Sequence, residues 1–189
     1  KFENHKLKEA PDILTQALKI DPSLITYAAA GWPPLIDLED VGPVIADSGH
    51  IRFHNDGETL GYLQVDNEVF DHAFETIKSI KPDLSFVYFC GVDEAGHKYG
   101  SVDTPYFDAA ERIDGYLKRL HQLLVDSKDE WVLVVVTDHG HRDEGGHGGD
   151  SHQERASFVI GHGVNREHPE WPEKLAPHEL SDLILKLIN

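Results

Sequence analysis

Side chains that could bind a metal follow two apolar runs of the sequence. The runs at 84–89 and 132–137 read as buried strands, and each is followed at once by carboxylate and imidazole groups. Glycines surround several of these groups and allow close backbone approach. Carboxylates and imidazoles suit a zinc or manganese ion, although a polar loop with a chance excess of histidine is the alternative interpretation. The residues are Asp93, His97, Asp138, His139, His141 and His147.

The spacing of these residues indicates two ligand sets. Asp93 and His97 are four residues apart, and with His147 they make a three-ligand set suited to a catalytic zinc with an open position. Asp138 and His139 would form half of a second set. Two metals about 4 Å apart could clamp the attacking and leaving oxygens of a phosphoryl transfer.

The composition limits the classes of ligand. The chain of 189 residues is long enough for one compact α/β domain. Its 17 Lys and Arg against 34 Asp and Glu give a net charge of −17, which argues against binding nucleic acid or anionic membranes through bulk electrostatics. A phosphate-ester substrate would be repelled as well, so a bound cation would have to reverse the local field. The 13 histidines supply ligands for such a cation.

Other features bear on the extent of the protein. The single cysteine, Cys90, excludes an intrachain disulfide and is interpreted as a core thiol. No apolar run approaches the roughly 18 residues of a membrane span, and no signal peptide is visible. The chain has no methionine, so we expect it to be the carboxy-terminal part of a longer enzyme. Compartment and oligomeric state stay open.

The elements that must position these residues alternate along the chain. Strands alternating with helices predict an α/β fold with a mostly parallel sheet sandwiched between helices. If the two strands that precede the metal-binding residues are parallel neighbours, their carboxyl ends bring those residues to one edge. Residues 1–189 are expected to form a single domain, with 35–64 as an irregular insertion or cap-like segment. The predicted helices are 11–20, 67–79 with Asp66 as cap, 104–125 and 180–188; the predicted strands are 24–30, 50–54, 60–64, 84–89, 131–137 and 156–160, with a turn at 161–163.

Three motifs occur in a characteristic order: DEAGHKYG at 93–100, TDHG at 137–140 and GHGGD at 146–150. Together they resemble the second half of the alkaline phosphatase superfamily, and most closely its type I phosphodiesterases and nucleotide pyrophosphatases. The resemblance implies an alkaline-phosphatase-like core that lacks its first strands. It also implies two zinc ions, the first held by Asp93, His97 and His147 and the second by Asp138 and His139.

The same resemblance implies a reaction. Phosphate diesters or nucleotide pyrophosphate bonds would be hydrolysed through a covalent phospho-enzyme, with a threonine or serine nucleophile that this chain lacks and that we expect upstream. The substrate would be a small phosphate ester. A related phosphomutase, sulfatase or phosphonoacetate hydrolase is the alternative within the superfamily, and a noncatalytic metal-binding fragment is the alternative from another class.

Several residue roles remain open at this point. His152 could replace His147 as the third ligand, since related phosphomutases place theirs slightly later. His141 is interpreted as a neighbour of the ligands or a solvent-exposed residue, with a ligand role as the alternative. Zinc is favoured by the imidazoles, but manganese or iron would also fit.

Overall fold

The computed structural model describes residues 9–37, 44–45 and 49–188. They fall into two compact units. Unit 1 comprises the residues up to Cys90 together with those from Lys174 onward, and unit 2 runs from Gly91 to Glu173.

Unit 1 is built on a three-stranded parallel sheet. Its central strand β1 (Thr26–Ala30) pairs with β2 (Ile51–His54) on one side and β3 (Leu84–Tyr88) on the other. All five residues of β1 are buried, as expected for a strand with a neighbour on each edge and helices on each face. The α/β class and the parallel sheet predicted from the sequence are confirmed.

Helices cover both faces of this sheet. Successive residues of β1 point to opposite faces, so Ala28 and Ala30 pack with Leu14 of α1 (Ile13–Ile20). Tyr27 and Ala29 pack on the other face with the apolar stripe of α3 (Tyr62–Ile80). The short helix α2 (Gly57–Leu60) precedes α3, a 3₁₀ turn spans Pro33–Leu35, and α7 (Leu180–Leu185) follows a second 3₁₀ turn at Pro177–Glu179.

Unit 2 contains two longer helices and a two-stranded sheet. It comprises α4 (Gly91–Tyr99), α5 (Thr104–Ser127), β4 (Trp131–Val136), α6 (His152–Arg155) and β5 (Val159–Val164). β4 and β5 pair antiparallel, with Leu133 opposite His162. Pro105 in the first turn of α5 matches the predicted start of that helix.

The structure differs from the sequence pattern at several places, and the helices α4 and α6 were not predicted. Residues 60–64 lie in α2 and α3, because the apolar stripe of α3 extends back to Val65. Asp66 is therefore inside α3 rather than its cap, and its Oδ1 accepts the Cys90 N–H at 2.9 Å. Residues 161–163 continue β5 rather than turning. β3 and β4 are half-buried rather than buried on both faces. Within the described residues the strand neighbour of β4 is the antiparallel β5, so β3 and β4 are not the parallel neighbours considered from the sequence.

The predicted domain organisation stays a prediction. Residues 38–43 and 46–48 of the predicted insertion at 35–64 lie outside the described residues. Within the part of the chain that the structure describes, no helix combines the length and apolar character needed to cross a bilayer.

Candidate metal centre

The helix α4 places Asp93 and His97 one turn apart on the same side. The Nε2 atom of His97 lies 3.6 Å from Oδ2 of Asp93. Asp93 is half-buried and His97 is exposed. One carboxylate oxygen thus faces the imidazole of its own helix, while the other, Oδ1, faces the loop that follows β4.

That loop brings three imidazoles to Oδ1 of Asp93. The Nε2 atoms lie at 3.0 Å for His141, 3.5 Å for His147 and 3.9 Å for His139. His147 Nε2 also lies 3.1 Å from His97 Nε2. Oδ1 of Asp93 is therefore the point on which the histidines of the loop converge.

Asp93, His97, His141 and His147 form what we call the metal cluster. Each offers one ligand atom, and these four atoms lie within 4.8 Å of one another. Ligands of one tetrahedral zinc, at bond lengths of about 2.0–2.2 Å, lie about 3.3–3.6 Å apart. The spacing of the cluster is therefore close to that of a metal site before an ion draws the ligands inward.

Two buried atoms of the cluster lack hydrogen bonds. Asp93 Oδ1 and His141 Nε2 have no hydrogen-bond partner among the described residues, although they lie 3.0 Å apart. The His141 side chain is only 3% exposed, so water does not easily supply the missing partner. Leaving such groups unpaired costs about 1–3 kcal/mol each. A cation between them would satisfy both lone pairs, so the residues present fit a divalent metal.

Glycines let the loop and α4 approach closely. A Cβ atom on Gly96 would lie 2.6–2.8 Å from the His141 ring, and one on Gly100 would lie 2.3 Å from the Asp143 carbonyl oxygen. Gly145 has a φ of +101°, and a Cβ atom on it would meet the Gly96 carbonyl oxygen. The imidazole of His141 can pack on α4 only because residue 96 has no side chain.

Glu154 holds the part of the loop that carries His147, and the sequence analysis missed it. Its carboxylate accepts the Gly149 N–H at 2.9 Å and the Ser151 hydroxyl at 2.6 Å, and Arg142 Nε lies 3.6 Å away. Ser151 caps α6 in return by accepting the Glu154 N–H. The spacing Ser-x-x-Glu is that of a capping box and could have identified this residue.

The chain also resembles known proteins. Residues 24–153, more than half of the chain, match the model of the type I phosphodiesterase / nucleotide pyrophosphatase family. The chain belongs to this family. The resemblance stated from the three motifs is thereby confirmed, as is the place of the chain in the alkaline phosphatase superfamily.

Curated relatives in this superfamily carry the name GPI ethanolamine phosphate transferase. Type 3 of Schizosaccharomyces pombe is 37% identical over 95 residues, or 50% of this chain and 10% of the relative. The catalytic subunit of the human type 3 protein is 31% identical over 108 residues, or 57% of this chain and 10% of the relative. Type 1 of Yarrowia lipolytica is 30% identical over 134 residues, or 61% of this chain and 14% of the relative.

The chain thus spans about a tenth of the length of these relatives. No solved structure gives a significant match. The family and the relatives indicate a phosphoester-acting enzyme.

Within this phosphodiesterase-family chain, the structure brings most of the predicted site residues together. Asp93, His97 and His147 share the metal cluster, and His139 stacks on His147 with ring centroids 3.8 Å apart. Asp138 is 64% exposed and reaches this group through His139, whose Nε2 lies 3.5 Å from its Oδ2. The geometry therefore gathers Asp93, His97, His139 and His147, and Asp138 contacts this group through His139.

Two histidines with open roles lie in different settings. His141 lies in the metal cluster and is buried rather than solvent-exposed, which leaves the interpretations of a neighbour of the ligands and of a ligand. His152 is exposed in α6 and is not part of that cluster. Thr137, next to the predicted ligands, accepts the Phe158 N–H through its hydroxyl oxygen.

Burial and charge act against each other at the metal cluster. Burial lowers the pKa of His141, the Asp93 carboxylate opposes this, and the neighbouring histidines lower the pKa further. Tyr106, whose ring meets His141 edge-on with centroids 5.9 Å apart, has its pKa raised by burial and by Asp93. His141 is thus kept neutral, which is the form that donates a lone pair to a metal.

Proposed function

We propose that this chain carries the metal-binding part of an enzyme that transfers or hydrolyses phosphate esters with divalent metal ions. The observation that carries the proposal is the convergence of imidazoles on Oδ1 of Asp93, where two buried lone pairs lack hydrogen-bond partners among the described residues. Membership of the phosphodiesterase family supports the reaction class.

In this proposal Asp93, His97 and His147 hold the first metal, and His141 stands as a fourth ligand. Asp138 and His139 hold the second metal, with further ligands from the longer protein. Imidazole-rich sets favour zinc, and manganese or iron would also be accepted. A bound divalent cation would supply positive charge to the phosphate oxygens and to the attacking oxygen.

The residues of the chain prepare this site in three ways. The Nδ1 of His139 lies 3.2 Å from the Gly140 carbonyl; donating its proton there would leave Nε2 as the ligand atom. Glu154 orders the glycine-rich loop through Gly149 and Ser151, just after His147. The ring of Tyr106 packs edge-on against the buried His141 ring that faces Asp93.

Local charge also favours a metal in the proposed site. The chain has a net charge of −17, which repels an anionic phosphate ester. Neutral imidazoles do not reverse this field by themselves. Divalent cations at the cluster would do so within a few ångströms of the substrate.

We favour transfer over hydrolysis as the reaction. The relatives named above are transferases of ethanolamine phosphate, so we propose that group as the one moved by the full-length protein. The nucleophile, a threonine or serine, would come from another part of that protein. Hydrolysis of a phosphate diester is the second candidate, and it follows from the family description.

The test uses the full-length protein and 4-nitrophenyl phosphoethanolamine. Nitrophenol release measures cleavage, and ³¹P NMR in the presence of glycerol distinguishes the transferred diester from free phosphoethanolamine. We expect Asp93→Ala and His147→Ala to lower the rate by about 100-fold or more, and chelation followed by zinc to abolish and restore it. His152→Ala is the matched control and should keep the rate. Unchanged activity in both cluster variants would contradict the proposal.

A further inference from the structure

A second group of histidines, outside the metal cluster, joins α5 to β5. The Nε2 atoms of His121 in α5 and His162 in β5 lie 3.2 Å apart. His168 lies beside them, with its ring centroid 4.7 Å from that of His162. The function proposed above uses none of these three side chains.

Backbone contacts fix the positions of His121 and His162. The side-chain amide of Asn165 donates to the carbonyl oxygens of Leu124 and Asp129 at 3.0 Å and to that of Val125 at 3.3 Å. It thereby ties the end of β5 to the C-terminal turn of α5, one turn beyond His121. The two imidazoles are therefore held close together, with their planes tilted by 49°, before any ligand binds, which reduces the entropic cost of binding.

The glycines on either side of His162 allow the following segment to lie directly on β5. A Cβ atom on Gly161 would overlap the Trp171 ring, and one on Gly163 would lie 2.5 Å from the Glu167 carbonyl oxygen. Because side chains alternate along a strand, His162 points to the opposite face from these contacts. This packing fixes the backbone of β5 and leaves the imidazole directed at α5.

The separation of the two nitrogens matches that of two ligands on one metal ion. Two imidazole nitrogens on a tetrahedral zinc, at about 2.0–2.1 Å from the ion, lie about 3.3–3.4 Å apart. His168 has a different role, since its Nδ1 accepts the Gly163 N–H at 3.0 Å. In neutral His168 the proton is then on Nε2, so this ring flanks the pair instead of binding with it.

We propose that His121 and His162 bind a divalent transition-metal ion through their Nε2 atoms, as a site that fastens α5 to β5. Water completes the coordination, because among the described residues two protein ligands converge. Copper(II) binds such a site more tightly than nickel(II) or zinc, following the usual order of affinities for nitrogen ligands. The site is separate from the proposed catalytic function and does not depend on it.

The first experiment titrates copper(II) into the full-length protein carrying Asp93→Asn, which weakens the metal cluster. Equilibrium dialysis counts bound ions, and electron paramagnetic resonance reports coupled imidazole nitrogens. We expect His121→Ala and His162→Phe each to remove one equivalent and the matching two-nitrogen signal. His152→Ala, which removes an exposed histidine outside both groups, should bind as the parent does.

The second measurement tests folding and the site together. Zinc should raise the melting temperature of the parent protein carrying Asp93→Asn, since zinc binds the folded state. His121→Ala and His162→Phe should each reduce this rise by the amount that zinc bound to His121 and His162 contributes. A parent that binds no copper beyond the metal cluster would show that the two rings only share a hydrogen bond, and would overturn the proposal. Retention of the signal in His121→Ala, which leaves β5 untouched, would overturn it as well.

Discussion

Two buried histidines, one in each unit, differ in how their ring nitrogens are paired. In unit 1, His50 is 6% exposed, its Nδ1 lies 2.6 Å from the Thr26 hydroxyl and its Nε2 lies 3.3 Å from the Thr15 hydroxyl. In unit 2, His141 is 7% exposed, and its Nε2 has no hydrogen-bond partner within the described ranges. Burial alone does not separate the two residues, whereas the pairing of their nitrogens does.

The difference separates a structural histidine from a candidate ligand. His50 connects α1 to β1 with both polar atoms satisfied, so it contributes to the stability of the sheet. The buried Nε2 of His141 makes no hydrogen bond, which costs folding free energy. A fold retains such an atom where a further group, such as a metal ion, satisfies it. The same contrast holds for carboxylates, because Asp66 accepts the Cys90 N–H while Asp93 Oδ1 accepts no hydrogen bond in the described part of the chain.

The largest effect is expected from replacing the carboxylate of Asp93. Asp93→Asn should lower zinc affinity by about 100-fold or more, because it removes the charge on which the imidazoles converge. Asp66→Asn is the matched control in unit 1, since its amide oxygen can still accept the Cys90 N–H. Competition with a chromophoric chelator measures both affinities, and equal losses in the two variants would remove the distinction between the carboxylates.

The same substitution at the two histidines should give opposite results. His141→Phe should weaken zinc binding by about 10–100-fold and leave the metal-free protein at least as stable, because it removes an unpaired nitrogen. His50→Phe should leave zinc binding unchanged and cost about 1–3 kcal/mol of stability, because the Thr26 hydroxyl loses its contact with His50 while the Thr15 hydroxyl keeps its bond to Asp12. Denaturant unfolding with and without chelator measures both. A metal-free His141→Phe protein that is strongly destabilised would contradict the comparison.

These contrasts also show what the sequence could and could not predict. The apolar run at 84–89 and the periodicity of 67–79 predicted β3 and most of α3, because their patterns follow from local geometry. The residues of the metal cluster were singled out because their types suit a metal. Their convergence on one oxygen of Asp93 depends on long-range packing of the loop on α4, which no local pattern encodes.

Two errors in the sequence analysis have the same origin. Asp66 has the residue type of a helix cap, but it is buried inside α3, where the Cys90 N–H from a distant part of the chain satisfies it. The pair Gly161 and Gly163 has the composition of a turn, but these glycines lie in β5 because the segment ending at Trp171 packs on them. In both cases a tertiary contact decided the outcome against the local preference.

A smaller effect is expected at the glycine on which His141 packs. Gly96→Ala would place a Cβ atom 2.6 Å from the His141 ring, and such overpacking costs about 1–3 kcal/mol. The better helix propensity of alanine returns only about 1 kcal/mol, so a net loss of stability and weaker zinc binding follow. Gly115→Ala in α5 is the control, because nothing lies within 4 Å of its added Cβ. It should stabilise the protein by up to about 1 kcal/mol, and a gain of the same sign in Gly96→Ala would contradict this account.

The smallest expected effect is that of Glu154 on stability, and it is recognised by its dependence on pH. The Ser151 hydroxyl and then the Gly149 N–H lower the pKa of the Glu154 carboxyl from its usual 4.5. Since the unfolded chain then binds more protons near that pH, the carboxylate stabilises the fold above about pH 4.5, and this contribution is lost as the pH falls through the folded pKa. Glu154→Gln should therefore be less stable than the parent at pH 7, with the difference closing below pH 4.5. Urea unfolding of the metal-free protein measures it, and Glu144→Gln, at a side chain 76% exposed, should follow the parent throughout. Parallel curves for Glu154→Gln and the parent from pH 7 to pH 3 would show that the loop that carries His147 does not depend on this charge.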